Sequence, residues 1–205
     1  TPERIKEIQN SISLNVPRKR SIDYPKGAIF LDRDDTILQN ESEFCFIDTE
    51  LSLSIAEANK LGIPVIVVSN QPSVAKGFAT IEEIHRVNNE IDKSLEVNQA
   101  FIDSWYWCPH HESRGFLGET RIFKVNCECR KPKSGLLTYA IQDHNIDSTK
   151  SYLVGDSIRD KQAANKLAIK FLHTTQFKTC LIKNTHDCFA HTSHAIRFAM
   201  ESINK

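Results

Sequence analysis

The sequence predicts an α/β fold: a Rossmann-like parallel sheet with helices on both faces. Three observations carry this. Short apolar runs alternate with helical stretches along most of the chain, the order of a parallel sheet built with crossover helices. The runs are apolar and partly β-branched throughout, as in strands buried on both faces. Polar residues follow three of them, Asp32, Ser69 and Asp156, and ligands of such sheets bind beyond the carboxyl ends of the strands.

Each element has its own signal. Residues 28–31 (AIFL) form a short apolar run between Gly27 and an acidic cluster, which predicts the first strand. Residues 49–61 follow as a helix, with Leu51, Ile55 and Ala58 on one face and Gly62 as its stop. Residues 63–68 (IPVIVV) predict a second strand, with Pro64 tolerated near its start. Thr80 and Glu83 make a capping box, and Ile84, Val87, Ile91 and Leu95 recur at helical spacing behind it. Residues 101–107 are a third strand, 134–144 a helix, 151–154 a fourth strand, 160–167 a helix and 169–172 a fifth strand. The chain divides into an extension or linker over 1–26, a main domain over 27–180 and a helical tail over 181–205.

Composition excludes several classes. With 40% hydrophobic and 25% charged residues, the chain is neither disordered nor a coiled coil. Basic and acidic side chains balance at 26 each, so no overall field favours nucleic acid or an anionic membrane. No apolar run spans a bilayer and the first residues are no signal peptide, which points to the cytoplasm. Of the six cysteines, Cys108, Cys127 and Cys129 crowd around a histidine, which favours a metal over disulfides. Cys45, Cys180 and Cys188 read as reduced bystanders.

Asp32-x-Asp34 places two carboxylates at one strand end, and Asp156 arrives from another. A single such pair is common and often only caps the next helix. Together the three would repel one another and any phosphate unless a hard cation such as Mg²⁺ neutralised them. Ser69 supplies a hydroxyl and Lys131 a positive charge, the equipment of phosphoryl transfer. Cys108, His110, Cys127 and Cys129 offer three thiolates and an imidazole, a complete tetrahedral set for a structural Zn²⁺, with His111 an alternative ligand. Because Arg130 and Lys131 follow Cys129 directly, a zinc knuckle would brace the loop that carries the lysine.

Asp32-Arg-Asp-Asp-Thr36, Val67-Val-Ser69-Asn70, Lys131 and Gly155-Asp-Ser-Ile-Arg-Asp160 resemble, in order and placement, the four motifs of haloacid dehalogenase superfamily phosphatases over residues 28–173. The resemblance implies that Asp32 attacks phosphorus and forms an aspartyl phosphate, while Asp34 serves as acid and then base. It also implies that Asp32, the Asp34 backbone carbonyl and Asp156 hold Mg²⁺, and that Ser69 and Lys131 bind the phosphoryl oxygens. Asp160 would support the metal site from behind. One position departs: Asp35 stands where the family has glycine, and aspartate is among the few residues that tolerate a left-handed backbone.

Cys108-Pro-His-His111, Cys127-Glu-Cys-Arg-Lys-Pro132 and Asn70-Gln-Pro-Ser-Val-Ala-Lys-Gly77 look like one branch of the superfamily, the heptose 1,7-bisphosphate phosphatases, with histidinol-phosphate phosphatases close by. The branch implies a small sugar phosphate as substrate, its C7 phosphate removed, and contacts to it from Arg130 and Asn70. It implies a capless site as well, and the interval from Thr36 to Thr49 is too short for a mobile cap. Two alternatives stand beside it: histidinol phosphate as substrate, and a catalytically degenerate, zinc-braced domain that binds a partner. A polynucleotide 3′-phosphatase shares the aspartate chemistry, but the balanced charge and missing aromatic-basic stripe argue against nucleic acid. The opening Thr1-Pro-Glu-Arg-Ile5 resembles the closing residues of sugar-nucleotidyltransferase domains, which implies a fused or associated partner of that kind. No function is read from His186, His191 or His194.

Overall fold

The computed structural model describes residues 5–6, 9–10, 13, 16, 20–38, 47–175 and 188–204. The expectations for residues 1–4, for much of the extension over 1–26, and for Cys45, Cys180, His186 and the Cys188 side chain lie outside them. Among the described residues six strands form one parallel sheet: β1 (Ile29–Leu31), β2 (Val65–Asn70), β3 (Ser104–Cys108), β4 (Tyr152–Gly155), β5 (Lys170–Thr174) and β6 (Cys188–Phe189). Their spatial order is β3-β2-β1-β4-β5-β6, and every neighbouring pair is parallel. The chain therefore grows outward from β1 in one direction, then returns to continue on its other side. That reversal opens a crevice at the carboxyl ends of β1 and β4, the usual place for a ligand in such sheets.

Period-two alternation divides the strand residues between two cores. Ile29, Leu31, Val65, Val67, Tyr152 and Val154 face one layer, and Phe30, Ile66, Val68 and Leu153 the other. The first layer is covered by α1 (Thr49–Lys60), α3 (Ile81–Glu96) and α6 (Thr192–Ile203), through Leu51, Ile55, Ile91, Leu95 and Ile196. The second is covered by α4 (Gly135–His144) and α5 (Ile158–Asn165), through Leu136, Leu137, Ala140, Ala163 and Ala164. A short helix, α2 (Ser73–Lys76), follows β2.

Local signals set the helix boundaries. Asp48 caps α1 by accepting from Leu51 N, and Gly62 turns the chain into β2 at φ +77°. Thr80 and Glu83 form the expected capping box of α3. Two elements go beyond the sequence reading. The strand β6 extends the sheet past β5, and within the helical tail expected over 181–205 α6 packs into the core, with Ala195, Ile196 and Ala199 wholly buried. Its first residue, Thr192, donates to the Thr36 carbonyl at 2.9 Å and pairs with the Thr174 hydroxyl at 2.9 Å, so α6 braces the loop that follows β1.

The extension ahead of β1 is tied down as well. Arg20 pairs with Asp103 and donates to the Asn59 carbonyl at 3.3 Å, while its guanidinium lies 4.8 Å from the Phe101 ring centroid.

Because α6 completes the first core layer, Ile196→Ala should destabilise the fold by about 2–4 kcal/mol, the cost of a buried aliphatic truncation. Urea unfolding measures it, and a midpoint unchanged from wild type would remove α6 from the cooperative unit.

Candidate active site

The polar residues that leave β1, β2 and β4 converge with Lys131 in a cavity of about 410 Å³, lined among others by Asp32, Asp34, Asn70, Arg130, Lys131 and Asp156. At its floor lies a buried charge cluster. Asp32 is held at the strand end by its amide, which donates to the Val154 carbonyl at 2.9 Å. The Lys131 ammonium, 2% exposed, sits 2.9 Å from Asp32 Oδ1 and 2.6 Å from Asp160 Oδ1, and donates to the Val68 carbonyl at 2.7 Å. Three oxygens thus surround a group with three N–H bonds. A phosphoryl oxygen enters that sphere only by sharing or displacing one of them.

Each partner of this cluster is itself positioned. Asp160 is wholly buried on the first turn of α5, where it completes a capping box with Ser157. Gly155 makes room for it: a Cβ there would fall 2.8–2.9 Å from the Asp160 carboxyl atoms. Asn70 clasps the Lys131 backbone from both sides, donating to its carbonyl and accepting from its amide, each at 2.9 Å. The side chain of Asn70 is therefore committed to placing Lys131.

Asp34 lies on the opposite wall. Its two oxygens accept from Arg33 Nε at 3.0 Å and Gln71 Nε2 at 2.6 Å. Gln71 also donates to the Ser69 hydroxyl at 2.8 Å, so one amide links the residues proposed for proton transfer and phosphate contact. Arg33 is buried and anchored on α3 by Asn88 at 2.9 Å. The sequence reading passed over Gln71, Arg33 and Asn88. The polar pair at 70–71 beyond a buried strand and its place in the Asn70–Gly77 stretch were the signals for Gln71, and no local pattern joins Arg33 to Asn88. Asp35 adopts φ +58°, the left-handed turn expected of the glycine it replaces, and its amide donates to Leu38 O at 2.6 Å.

The carboxylates of Asp32, Asp156 and Asp160 offer oxygens within 4.8 Å of one another. Burial, reinforced by the Asp160 charge and opposed by Lys131, pushes the Asp32 carboxyl up to about 7. This acidic excess suits a hard divalent cation, which would neutralise it. Asp160 has both oxygens engaged by Lys131 and Ser157.

The second cluster brings together all four of Cys108, His110, Cys127 and Cys129. Their sulfurs are 3.1–3.5 Å apart, and His110 Nδ1 lies 3.3–3.4 Å from two of them. Those separations are well beyond a disulfide bond. They approach the edges of a tetrahedron built on Zn–S and Zn–N bonds, on the order of 3.6 Å. Hydrogen bonds from Cys108, Cys127 and His110 outweigh burial and hold the Cys129 thiol down at about 5. His111 lies apart from the four, its ring packed edge-on against Phe116 at 5.8 Å. The donor set fits zinc.

The cysteine loop is fixed on two sides. Cys108 ends β3 inside the second core, and Cys127 and Cys129 pack against the same core. The loop also meets α2, where Thr120 N donates to Ala75 O at 3.1 Å and Ala75 N to Pro109 O at 3.2 Å. At this crossing Gly77 (φ +76°) has no room for a side chain, since a Cβ would sit 2.0 Å from the Gly118 carbonyl oxygen. Arg130 NH1 reaches back to the His110 carbonyl at 3.3 Å.

With this geometry established, comparison with known proteins is informative. Residues 26–201 match the family model described as polynucleotide kinase 3 phosphatase. The D-glycero-beta-D-manno-heptose-1,7-bisphosphate 7-phosphatase of Haemophilus influenzae is 37% identical over 149 residues, covering 70% of this chain and 78% of that protein. Among solved structures, a HAD-like protein of Mesorhizobium loti is similar with a TM-score of 0.72 at 25% identity, covering 88% of this chain and 87% of its own. The D,D-heptose 1,7-bisphosphate phosphatase of B. bronchiseptica, solved with magnesium and phosphate, has a TM-score of 0.69 at 21% identity, covering 85% and 98%.

Metal analysis of the purified chain is expected to find about one zinc per molecule. Cys127→Ala should release it and lower the thermal midpoint; unchanged zinc content and stability in that variant would rule out the cluster as a structural zinc site.

Proposed function

The chain belongs to the polynucleotide kinase 3 phosphatase family, and on that premise we propose that it removes the C7 phosphate of D-glycero-D-manno-heptose 1,7-bisphosphate through an aspartyl phosphate on Asp32. The observation that carries the proposal is the placement of Asp32: a carboxylate at the floor of an open, polar cavity, gripped by Lys131 and faced by Asp156. The substrate class follows the curated relatives, which are named for this reaction at the level of identity that shows the family. The Cys-x-Cys-Arg-Lys stretch, which places a candidate zinc ligand two residues from Lys131, supports the same reading.

In the first step an Asp32 oxygen attacks phosphorus in line with the sugar oxygen. The phosphorus–oxygen bond to the sugar breaks as Asp34 delivers a proton to the leaving alcohol. In the second, Asp34 takes a proton from water, the water oxygen attacks phosphorus, and the acyl phosphate opens to free Asp32 and inorganic phosphate. Asp32, the Asp34 carbonyl and Asp156 would hold Mg²⁺, which when bound offsets charge on the phosphoryl oxygens. Ser69 contributes a hydroxyl to those oxygens. Lys131 keeps Asp32 oriented and compensates its charge. Gln71 and Arg33 hold Asp34 facing the same space. Asn70 acts through Lys131, whose backbone it fixes.

Asp32→Asn is expected to abolish phosphate release from the heptose bisphosphate while leaving the far-ultraviolet spectrum of the folded chain, with a lowered thermal midpoint because Lys131 loses one of its two charged partners. A variant with the wild-type rate would refute Asp32 as nucleophile. The same assay run with histidinol phosphate tests the substrate, since faster turnover there would transfer the activity to that compound.

Proton linkage gives a second test. With the Asp32 carboxyl raised to about 7 in the metal-free protein, Mg²⁺ must displace a proton below that pH and none above it. Magnesium affinity should therefore be highest above pH 7 and fall by up to about tenfold per pH unit below it. Calorimetric titration at several pH values measures the slope, and a flat profile would separate Asp32 from the cation.

A further inference from the structure

Four cationic side chains line the cavity, Arg33, Arg130, Lys131 and Arg159. Two of them are consumed within the protein: Lys131 by Asp32, Asp160 and Val68, and Arg33 by Asp34 and Asn88. The other two come from different walls. Arg130 belongs to the cysteine loop, and Arg159 is the second residue of α5. Among the described residues neither forms an ion pair with a carboxylate, and the hydrogen bond from Arg130 to the His110 carbonyl is long at 3.3 Å. Both side chains line the same cavity as Asp32, Lys131 and Asp156. Two guanidiniums that line one cavity from different walls are stabilised by an anion arriving between them, and the guanidinium fork matches phosphate in a bidentate manner.

We infer that Arg159, together with Arg130, seats the second, unreacting phosphate of a sugar bisphosphate, and that Arg159 is the specificity-determining residue that favours bisphosphates over monophosphates. The inference rests on the phosphatase reading of Asp32 and deepens it. A phosphoryl group next to Asp32 draws on Ser69, Lys131 and the carboxylate-bound cation, so a second phosphate on the same sugar needs a separate source of positive charge. Among the described residues Arg159, which has no carboxylate partner, and Arg130, held by one long hydrogen bond, are the cavity's remaining cations. Chain connectivity also fixes the spacing. Arg159 is bonded directly to Asp160, whose carboxyl grips Lys131 and whose capping box with Ser157 sets the start of α5. The reacting site and the second seat are thus joined through one peptide unit and a buried ion pair. Since the second phosphate is unchanged by the reaction, binding it stabilises ground and transition states alike, and the effect of losing it falls on KM.

The test compares kcat/KM for D-glycero-D-manno-heptose 1,7-bisphosphate and for the same heptose carrying only the 7-phosphate, in wild type, Arg159→Gln and Arg159→Lys. Wild type is expected to prefer the bisphosphate. In Arg159→Gln that preference should shrink by about ten- to hundredfold, the scale of a charge-assisted hydrogen bond, mainly through KM. Arg159→Lys should fall between the two, because it keeps the charge without the fork. Arg159 is exposed, so its variants should unfold at the wild-type temperature. A bisphosphate preference retained in Arg159→Gln overturns the inference and leaves the phosphatase reading intact. A wild type with no preference for the bisphosphate overturns the proposed substrate, and the seat with it.

Discussion

A lysine ammonium buried between two carboxylates is the constraint around which this molecule is arranged. Taking the charges of Lys131, Asp32 and Asp160 out of water is costly, and removing one partner of such a group typically destabilises by about 3–5 kcal/mol. The cost is met only when every donor and acceptor is satisfied. Four separate parts of the chain contribute: the end of β1, the carbonyl of Val68 on β2, the loop carrying Lys131, and the first turn of α5. They meet only at the carboxyl ends of adjacent parallel strands, so the sheet order and the charge cluster imply each other. Smaller features serve the same end. Gly155 leaves space for the Asp160 carboxyl, Ser157 fixes that carboxyl in a capping box, and Asn70 fixes the backbone from which Lys131 extends.

The cysteine loop extends this arrangement toward solvent. A long segment between β3 and α4 would by itself leave Arg130 and Lys131 poorly placed. Here the loop is gathered at one end by the clustered Cys108, His110, Cys127 and Cys129 and crossed at the other by α2 through the Gly77–Gly118 contact. Zinc would replace a hydrophobic core that this segment does not form on its own. The organisation of the lysine is thereby taken over largely by the loop rather than by incoming substrate, which lowers the ordering cost at binding.

Much of this was legible in the sequence because the signals are local. Apolar runs marked the buried strands, Thr80 and Glu83 marked the start of α3, and the cysteine–histidine spacing announced a cluster that the fold does bring together. Asp35 was legible in a finer way: a residue type that tolerates φ above zero stands where φ is +58°. The rest was hidden because it depends on contacts between distant segments. Arg33 meets Asn88 on another helix, Gln71 meets Asp34 across two strands, and Thr192 reaches back to the loop after β1. The packing of α6 was hidden for a related reason. A helix rich in small residues such as Ala195 and Ala199 carries a weak apolar stripe, yet those residues let it approach the sheet closely.

The position of α6 also bears on how the chain is made. It follows the six described strands in sequence, yet it fills part of the core layer against α1 and ties the loop after β1. During synthesis the strands and the other core face emerge first, and that layer stays incomplete until α6 has left the ribosome. For that interval the nascent chain carries an uncovered apolar strip along the sheet. The stretch between β5 and α6 sets how long translation leaves that strip open to chaperones or to a neighbouring nascent chain.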